Sequence, residues 1–528
     1  MILRRYSRRR GRPRSLPRLR RKWGVLAALG VLFLPAGCVE PPAPAPVDRA
    51  PSHALADPET TRLGRMLLRH DQARDRQSGF SLIVPGPDAL RSLRSFIALA
   101  EKTLDLQYYI WRGDESGRLV LSDLVDAASG GVRVRLLLDD MDTKWEDGEL
   151  ARLNALPNFE IRIFNPFASR TSRLVDALVD FRRVTHRMHN KLFIADNTVA
   201  VIGGRNIGDR YFSKDEEASY RDLDIHAAGH AARALSRHFD AFWNSPWSVS
   251  IDALDDGHET AAGVREMVER LKRTAARYAR TIEANEIAPA EYAARVFSGL
   301  IWSRRTAIVA DSHDKPQTKN PKLLEELFAR LSGRLEKGLL IEAAYFIPAE
   351  NGVRILCGFV KAGMDVRVLT NSLSSSDVIT AYAGYRIYRR PLLECGVQLY
   401  EMRRGAKILL EARRAGDSSI ANLHTKAAVF DRRYTFVGSF NLDPRSVYLN
   451  TEIALLVDSR PLAEAAARFI EDGMSPENAY RLTLEDGEIV WNTTRDGAPL
   501  RLTEEPGATL WKDFASWMIG LLPIERQL

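Results

Sequence analysis

The sequence predicts an α/β protein of two lobes, each a mixed β-sheet flanked by helices, related by a pseudo-twofold axis and sharing one active site. Three observations lead there. At 528 residues the chain is too long for one ordinary core. A strand–helix–strand passage occurs twice, and so does a polar motif with the same internal spacing. The composition, 45% hydrophobic and 27% charged, is that of a folded globular protein.

The first 37 residues read as a targeting segment. Residues 1–37 hold ten arginines, Lys22 and no acid; an apolar run from Trp23 to Leu34 then leads into small residues ending at Cys38. That run is too short for a comfortable membrane span. Leu34-Pro35-Ala36-Gly37-Cys38 resembles a bacterial lipoprotein processing site, which makes Cys38 a lipid anchor; an uncleaved signal anchor is the alternative. Either places the catalytic body outside the bacterial cell membrane that holds it. This segment alone carries +11, so the formal charge of +8 for the whole chain leaves −3 from Cys38 onward. A general nucleic-acid binder needs a basic surface to displace counterions, so no nucleic-acid partner is expected. Cys357 and Cys395 lie in apolar stretches and are expected to be buried free thiols rather than a disulfide.

Next comes a Pro/Ala-rich stretch, Val39 to Pro58, expected to be an extended tether. The first passage runs Leu104 to Ile110, a helix Leu119 to Ala128, and Gly131 to Leu138. The second runs Leu340 to Phe346, a helix Gly352 to Ala362, and Gly363 to Leu369. In each a glycine stands where the helix should stop. Further strands follow at Glu160 to Phe164 and Val397 to Tyr400, while Ala261 to Glu283 reads as an amphipathic helix and Asp311 to Asn320 as a polar loop between lobes. The expected division is 1–37 targeting segment, 38–59 tether, 60–247 first lobe, 248–320 connection, 321–480 second lobe and 481–528 C-terminal extension.

The chemistry lies in the doubled motif. His189, Lys191 and Asp196 precede Gly203-Gly204-Arg205-Asn206; His424, Lys426 and Asp431 precede Gly438-Ser439-Phe440-Asn441. From the histidine, the lysine is two residues on, the aspartate seven, the glycine fourteen and the asparagine seventeen in both copies. On these residues the sequence resembles the phospholipase D superfamily from about residue 80 to 475, and within it the bacterial cardiolipin synthases of the C type, whose first motif is similar to Met188-His189-Asn190-Lys191 leading to Gly203-Gly204-Arg205-Asn206-Ile207-Gly208-Asp209. Gly204 stands where the superfamily usually has serine, so a hydroxyl at that corner comes only from Ser439.

In an extended strand, residues two apart share a face, so each histidine points with its lysine. Asp196 and Asp431 have the opposite parity and read as structural carboxylates. Converging halves would set two imidazoles, two ammonium groups and the amides of Asn206 and Asn441 around one phosphate, with Gly203, Gly204, Gly438 and Ser439 supporting it. Such fixed donors stabilise charge that grows on the phosphoryl oxygens without a metal. A carboxylate behind each imidazole fixes its tautomer. Asp222 or Asp224 after the first motif, and Glu452 after the second, are the candidates. The resemblance implies a phosphohistidine intermediate with His189 as nucleophile and His424 as acid and base. His186, His226 and His230 read as packing or surface residues; His186 with His189 has no further zinc-like ligand spacing.

Exchange of one phosphodiester for another is close to energy-neutral, so no cofactor is implied. Phospholipid substrates and a membrane surface are the expected partners, with phosphatidylglycerol as acceptor and phosphatidylethanolamine as a further candidate lipid. The tether and the tryptophan-bearing stretch Leu510 to Pro523 favour lipid. The leading expectation is a phosphatidyltransferase that makes cardiolipin. A hydrolase or nuclease of the same superfamily, and a non-catalytic lipid-binding protein, are the alternatives.

Overall fold

The first lobe is built on a nine-stranded sheet. Its strands are β1 (Ser78–Ile83), β2 (Thr103–Tyr108), β3 (Arg133–Asp139), β4 (Phe159–Phe164), β5 (Leu192–Ala195), β6 (Val199–Gly203), β8 (Asp224–Gly229), β9 (Ser248–Ser250) and β10 (Ile301–Ser303). They lie in the order β10-β1-β8-β6-β5-β2-β3-β4-β9, and β7 (Ala218–Arg221) stands apart. The second sheet has ten strands: β11 (Thr306–Ala310), β12 (Gly338–Ala343), β13 (Asp365–Asn371), β14 (Gln398–Met402), β16 (Lys426–Phe430), β17 (Tyr434–Gly438), β18 (Ile453–Asp458), β19 (Ala479–Glu485), β20 (Glu488–Arg495) and β21 (Ala498–Leu502). Their order is β11-β18-β17-β16-β12-β13-β14-β19-β20-β21, so eight strands of each lobe follow the same plan. This computed structural model describes residues 50–507 apart from 143–144, 171–180, 214–217, 255–259, 283–286, 319 and 408–419. The expected anchor at Cys38, the expected tether up to residue 49 and the Leu510 to Pro523 stretch lie outside the described residues.

The helices used below are α1 (Gly86–Leu99), α2 (Glu115–Ser129), α3 (His230–Trp243), α4 (Ala261–Ile282), α5 (Lys322–Leu331), α6 (Ala349–Lys361), α7 (Arg389–Glu394), α8 (Pro444–Tyr448) and α9 (Arg460–Gly473). Both predicted strand–helix–strand passages form, as β2-α2-β3 and β12-α6-β13. Gly131 and Gly363 follow the helices with φ of 92° and 87°, a left-handed conformation that glycine adopts without strain. The central parallel strands are buried on both faces, which is why Leu104, Leu106, Val134 and Leu136 accompany buried residues of the other parity.

Helices α3 and α9, which follow β8 and β18, lie between the lobes. Leu235 and Phe239 of the first and Leu462 and Ile470 of the second share one core with Phe80, Ile194 and Ile225 from one sheet and Leu340, Val429 and Leu455 from the other. The sheets are therefore joined by apolar burial, the dominant stabilising term.

Three expectations are corrected. Cys357 and Cys395 are half-buried and joined in a disulfide, because α6 and the end of α7 pack side by side over the second sheet. Asp311 to Asn320 is no plain polar loop: it contains a helical turn, Lys315–Thr318, and the buried Lys315 ammonium reaches Asp311 at 2.7 Å and the carbonyls of Ser446 and Asn450 at 2.9 and 2.6 Å. Part of the expected tether is docked, since Ser52 and Ala54 donate to Asn244 and Asp240 while the buried Arg135 guanidinium donates to the Ser52 carbonyl. A buried guanidinium needs more acceptors than Asp105 and Asp240 supply, and this backbone provides one.

Candidate active site

Each motif is anchored by the lobe it does not belong to. The His189 amide donates to the Thr451 carbonyl at 3.0 Å, and the His424 amide to the Arg221 carbonyl at 2.8 Å. Before His424, β15 (Ile420–Leu423) pairs in parallel with β7 of the first lobe. Each lead-in is also held from its own sheet: Asp139 at the end of β3 accepts from the Met188 amide at 2.8 Å, and Asn371 at the end of β13 accepts from the Leu423 amide at 3.0 Å. These two residues were not singled out from the sequence. Their signal was a polar side chain ending a buried parallel strand, the edge where such sheets place their sites.

The carboxylates behind the imidazoles are exchanged between lobes. Glu452 presents both oxygens 3.0 Å from His189 Nδ1, and Asp222 lies 2.7 Å from His424 Nδ1. A carboxylate at Nδ1 places the proton there and leaves the Nε2 lone pair free. Between Asp222 and Asp224, which the sequence left open, Asp222 backs the histidine; Asp224 is bound to Arg205 at 2.9 Å. Glu452 also accepts from the hydroxyls of Ser439 and Ser446. Gly204 replaces serine because Asp222 fills that room: a Cβ there would lie 2.3 Å from Asp222 Oδ1.

Lys191 and Lys426 donate to the carbonyls of His189 and His424, two residues back. The Lys191 ammonium lies 5.2 Å from the centre of the Tyr109 ring, and the Lys426 ammonium 6.0 Å from that of Tyr345. Burial, then the two lysine charges, hold both histidines well below their ordinary value. Burial likewise lowers both lysines. It pushes Glu452 up to about 7 and Asp222 up to about 6, against the pull of the lysines. Each lysine charge acts on both histidines, so the two motifs form one electrostatic cluster.

Asp196 and Asp431 point away from the cluster. Asp196 accepts from the amides of Glu101, Lys102 and Thr103, and Asp431 from those of Glu336, Lys337 and Gly338, all at 2.8–3.0 Å. They tie each motif hairpin to the start of β2 or β12. The strand ends before them, and each opens a turn with φ of 48° or 53°, followed by Asn197 or Arg432 at 49° or 50°. Strand parity thus led to the structural reading through a geometry that does not hold. Gly203 and Gly438 end β6 and β17, where a Cβ would strike Asp224 or the Ile453 carbonyl. Asn206 is engaged with the Ile110 amide and the Tyr211 hydroxyl, whereas Asn441 Oδ1 is buried without a partner among the described residues.

Around His424 stand Tyr211 and Tyr220, with ring centres 5.2 and 5.0 Å away, and the Tyr220 and Tyr345 hydroxyls donate to Asp377 at 2.9 and 3.2 Å. Sequence reading passed over all four, since tyrosines in strands and loops carry no motif. His226 packs in the core against Ser92, His186 is buried, and His230 is exposed on α3.

The comparisons agree with this geometry. The family model described as cardiolipin synthase, PLD-like domain matches residues 93–243 and 335–472, one copy in each lobe. Cardiolipin synthase C of Escherichia coli is 36% identical over 85% of this chain and 96% of its own length, and an uncharacterized protein of Helicobacter pylori is 31% identical over 89% and 94%. The crystal structure of phosphatidylserine synthase from Haemophilus influenzae shares the fold, with a TM-score of 0.53, 13% identity, and coverage of 88% of this chain and all of that one. Two family matches, one per lobe, and a full-length relative at this identity make the chain a phospholipase D-type enzyme of the cardiolipin synthase family.

Proposed function

We propose that the protein transfers a phosphatidyl group from a donor phospholipid to phosphatidylglycerol, making cardiolipin through a phosphohistidine intermediate. The observation that carries this is the pair of imidazoles whose Nδ1 atoms are held by Glu452 and Asp222 within one electrostatic cluster, which leaves each Nε2 free to act at a shared phosphorus. Neutral His189 attacks phosphorus through Nε2. The bond from phosphorus to the headgroup oxygen breaks, and His424, as imidazolium, gives that oxygen its proton. A hydroxyl of phosphatidylglycerol then surrenders its proton to the now neutral His424 and attacks, and the phosphorus–nitrogen bond breaks. Covalent catalysis divides one hard displacement into two easier ones.

One histidine must carry a proton while the other does not. Arrival of the phosphodiester anion beside His424 opposes the lysine charges that lower it, and Asp222 behind it stabilises the imidazolium. Lys191 and Lys426 are the fixed cations for charge gathering on the non-bridging oxygens, worth more in a buried site than in water. Water at the second step would give phosphatidic acid, so exclusion of water decides between transfer and hydrolysis.

The anchor at Cys38 and an exported body complete the reading. Its support is the Cys357–Cys395 disulfide, a bond that persists in oxidising compartments. No helix among the described residues is long and apolar enough to cross a membrane. Purified protein mixed with phosphatidylglycerol vesicles is expected to yield cardiolipin by mass spectrometry, and His189→Ala none; phosphatidic acid as the sole product would reject the transfer reading.

A further inference from the structure

The lobes repeat one plan, so a feature present in only one of them needs its own reason. Helix α2 of the first lobe buries nine residues, among them Leu119, Leu121, Leu124 and Val125. Its counterpart α6 buries only Leu356. Beside Lys191 the cavity is about 10 Å³; beside Lys426 it is about 410 Å³. Leu324 and Phe328 of α5, Ile355 and Phe359 of α6, and Val447 of α8 wall the larger cavity over β16. Apolar walls left facing water are unfavourable, so an open cavity of this size and lining is suited to an apolar ligand that covers them.

Two further observations say what fits. Phe430, Ala428 and Lys426 share one face of β16 and all three line the cavity, with the buried carboxylates of Glu342 and Asp443 beside Lys426 among its few charged walls. A largely apolar slot therefore reaches a buried cation that belongs to the catalytic cluster. Phe328, Ile355 and Tyr448, which also line the cavity, are 44%, 39% and 46% exposed, half of the large exposed hydrophobic side chains among the described residues. Such exposed apolar groups mark binding surfaces. We propose that this cavity of the second lobe takes one acyl chain of the phospholipid whose phosphate lies between His189 and His424. The inference rests on the lipid reading above. An apolar cavity of ~150 Å³ holds the six carbons of benzene. By proportion, 410 Å³ accommodates about sixteen carbons, one full acyl chain. A slot on the second lobe also gives the two-histidine site a direction, fixing which way the lipid enters.

The test uses the full chain in detergent micelles. Phosphatidylglycerol carrying a diazirine near the end of one acyl chain is photolysed on the protein, and the labelled peptides are mapped. Leu324→Trp and Val447→Trp are then compared with the unaltered protein on dioleoyl and dihexanoyl phosphatidylglycerol. Each buried methylene is worth ~4-fold in affinity, so filling the slot is expected to lower the ratio of long-chain to short-chain kcat/KM at least about ten-fold. Label is expected on α5 and α6. A variant that unfolds loses both substrates together, and the mapped label on the unaltered protein then decides. Label elsewhere, an unchanged ratio in folded variants, or cross-links showing residues 508–528 or a second copy seated in the cavity would each overturn the proposal. Label on α5 and α6 without any phosphatidyl transfer would leave the chain site standing and remove the transfer reading instead.

Discussion

Glu452 stands behind His189 from the opposite lobe, with its two oxygens each 3.0 Å from Nδ1, and Asp222 repays the arrangement at His424. Neither lobe holds a complete histidine–carboxylate pair of its own. Removing the carboxylate behind a working imidazole costs roughly 10²–10⁴ in rate. Glu452→Gln is therefore expected to cut kcat by about that much while changing KM little, and Glu452→Asp to recover part of it. Transfer assays on phosphatidylglycerol vesicles check this; a Glu452→Gln protein with unaltered kcat would show that the contact plays no part.

The same carboxylates set the pH profile. Burial raises Glu452 to about 7 and Asp222 to about 6, so both take protons as the medium is acidified through that range, and a neutral acid stabilises an imidazolium less well. Activity is expected to fall on the acid side. The slope of log kcat/KM approaches two below about pH 6, because two groups titrate in series. Glu452→Gln removes one of them, leaving a limb of slope one. A profile flat down to about pH 5 would contradict the raised values.

Asp196→Asn separates structure from chemistry. Its carboxylate holds three backbone amides and touches no member of the cluster. Asparagine tolerates the left-handed backbone of the turn, so the change isolates the hydrogen bonds. Loss of the charge is expected to cost ~1–3 kcal/mol of stability, measured by denaturant unfolding, while kcat of the folded fraction stays near its original value. A kcat collapse in a fully folded variant would return Asp196 to the catalytic set.

The duplicated motif made the two lobes and the cluster legible, because equal spacing in two distant stretches implies one repeated hairpin and one shared task. The exchange of Glu452 and Asp222 was not legible. A carboxylate in each half suits either imidazole until β7 and β15 are seen to pair across the lobes. The choice between Asp222 and Asp224 was hidden similarly: Asp222 lies before β8 rather than within it, so strand parity does not apply to it. Cys357 and Cys395 are separated by 38 residues and meet through helix packing, which local apolar character does not reveal.

That disulfide makes its own prediction. Closing a loop of this length is worth ~2–4 kcal/mol by restricting the unfolded chain. The double change Cys357→Ser and Cys395→Ser is expected to lower stability by about that amount, and protein made under reducing conditions to match the variant rather than protein made under oxidising ones. Free thiols at both positions in protein made under oxidising conditions, found by alkylation and mass spectrometry, would refute the bond.

Gly204 and Ser439 occupy equivalent corners with opposite logic, and this asymmetry can be tested directly. Ser439 donates to Glu452, so its hydroxyl supports the longer carboxylate. At Gly204 the shorter Asp222 occupies the space of the absent side chain, where a Cβ would lie 2.3 Å from Oδ1. Restoring the serine of the other copy therefore cannot restore its hydrogen bond. Gly204→Ser must push Asp222 aside and break its 2.7 Å contact with His424. The expected result is a kcat loss as large as that of Asp222→Ala, and a double variant no worse than either single one, since both remove the same support. Ser439→Gly opens space instead of closing it and leaves Glu452 with Ser446 and His189, so its loss is expected to be smaller, about ten-fold. Equal tolerance of serine at 204 and glycine at 439 would mean that the Asp222 carboxylate has another place to stand.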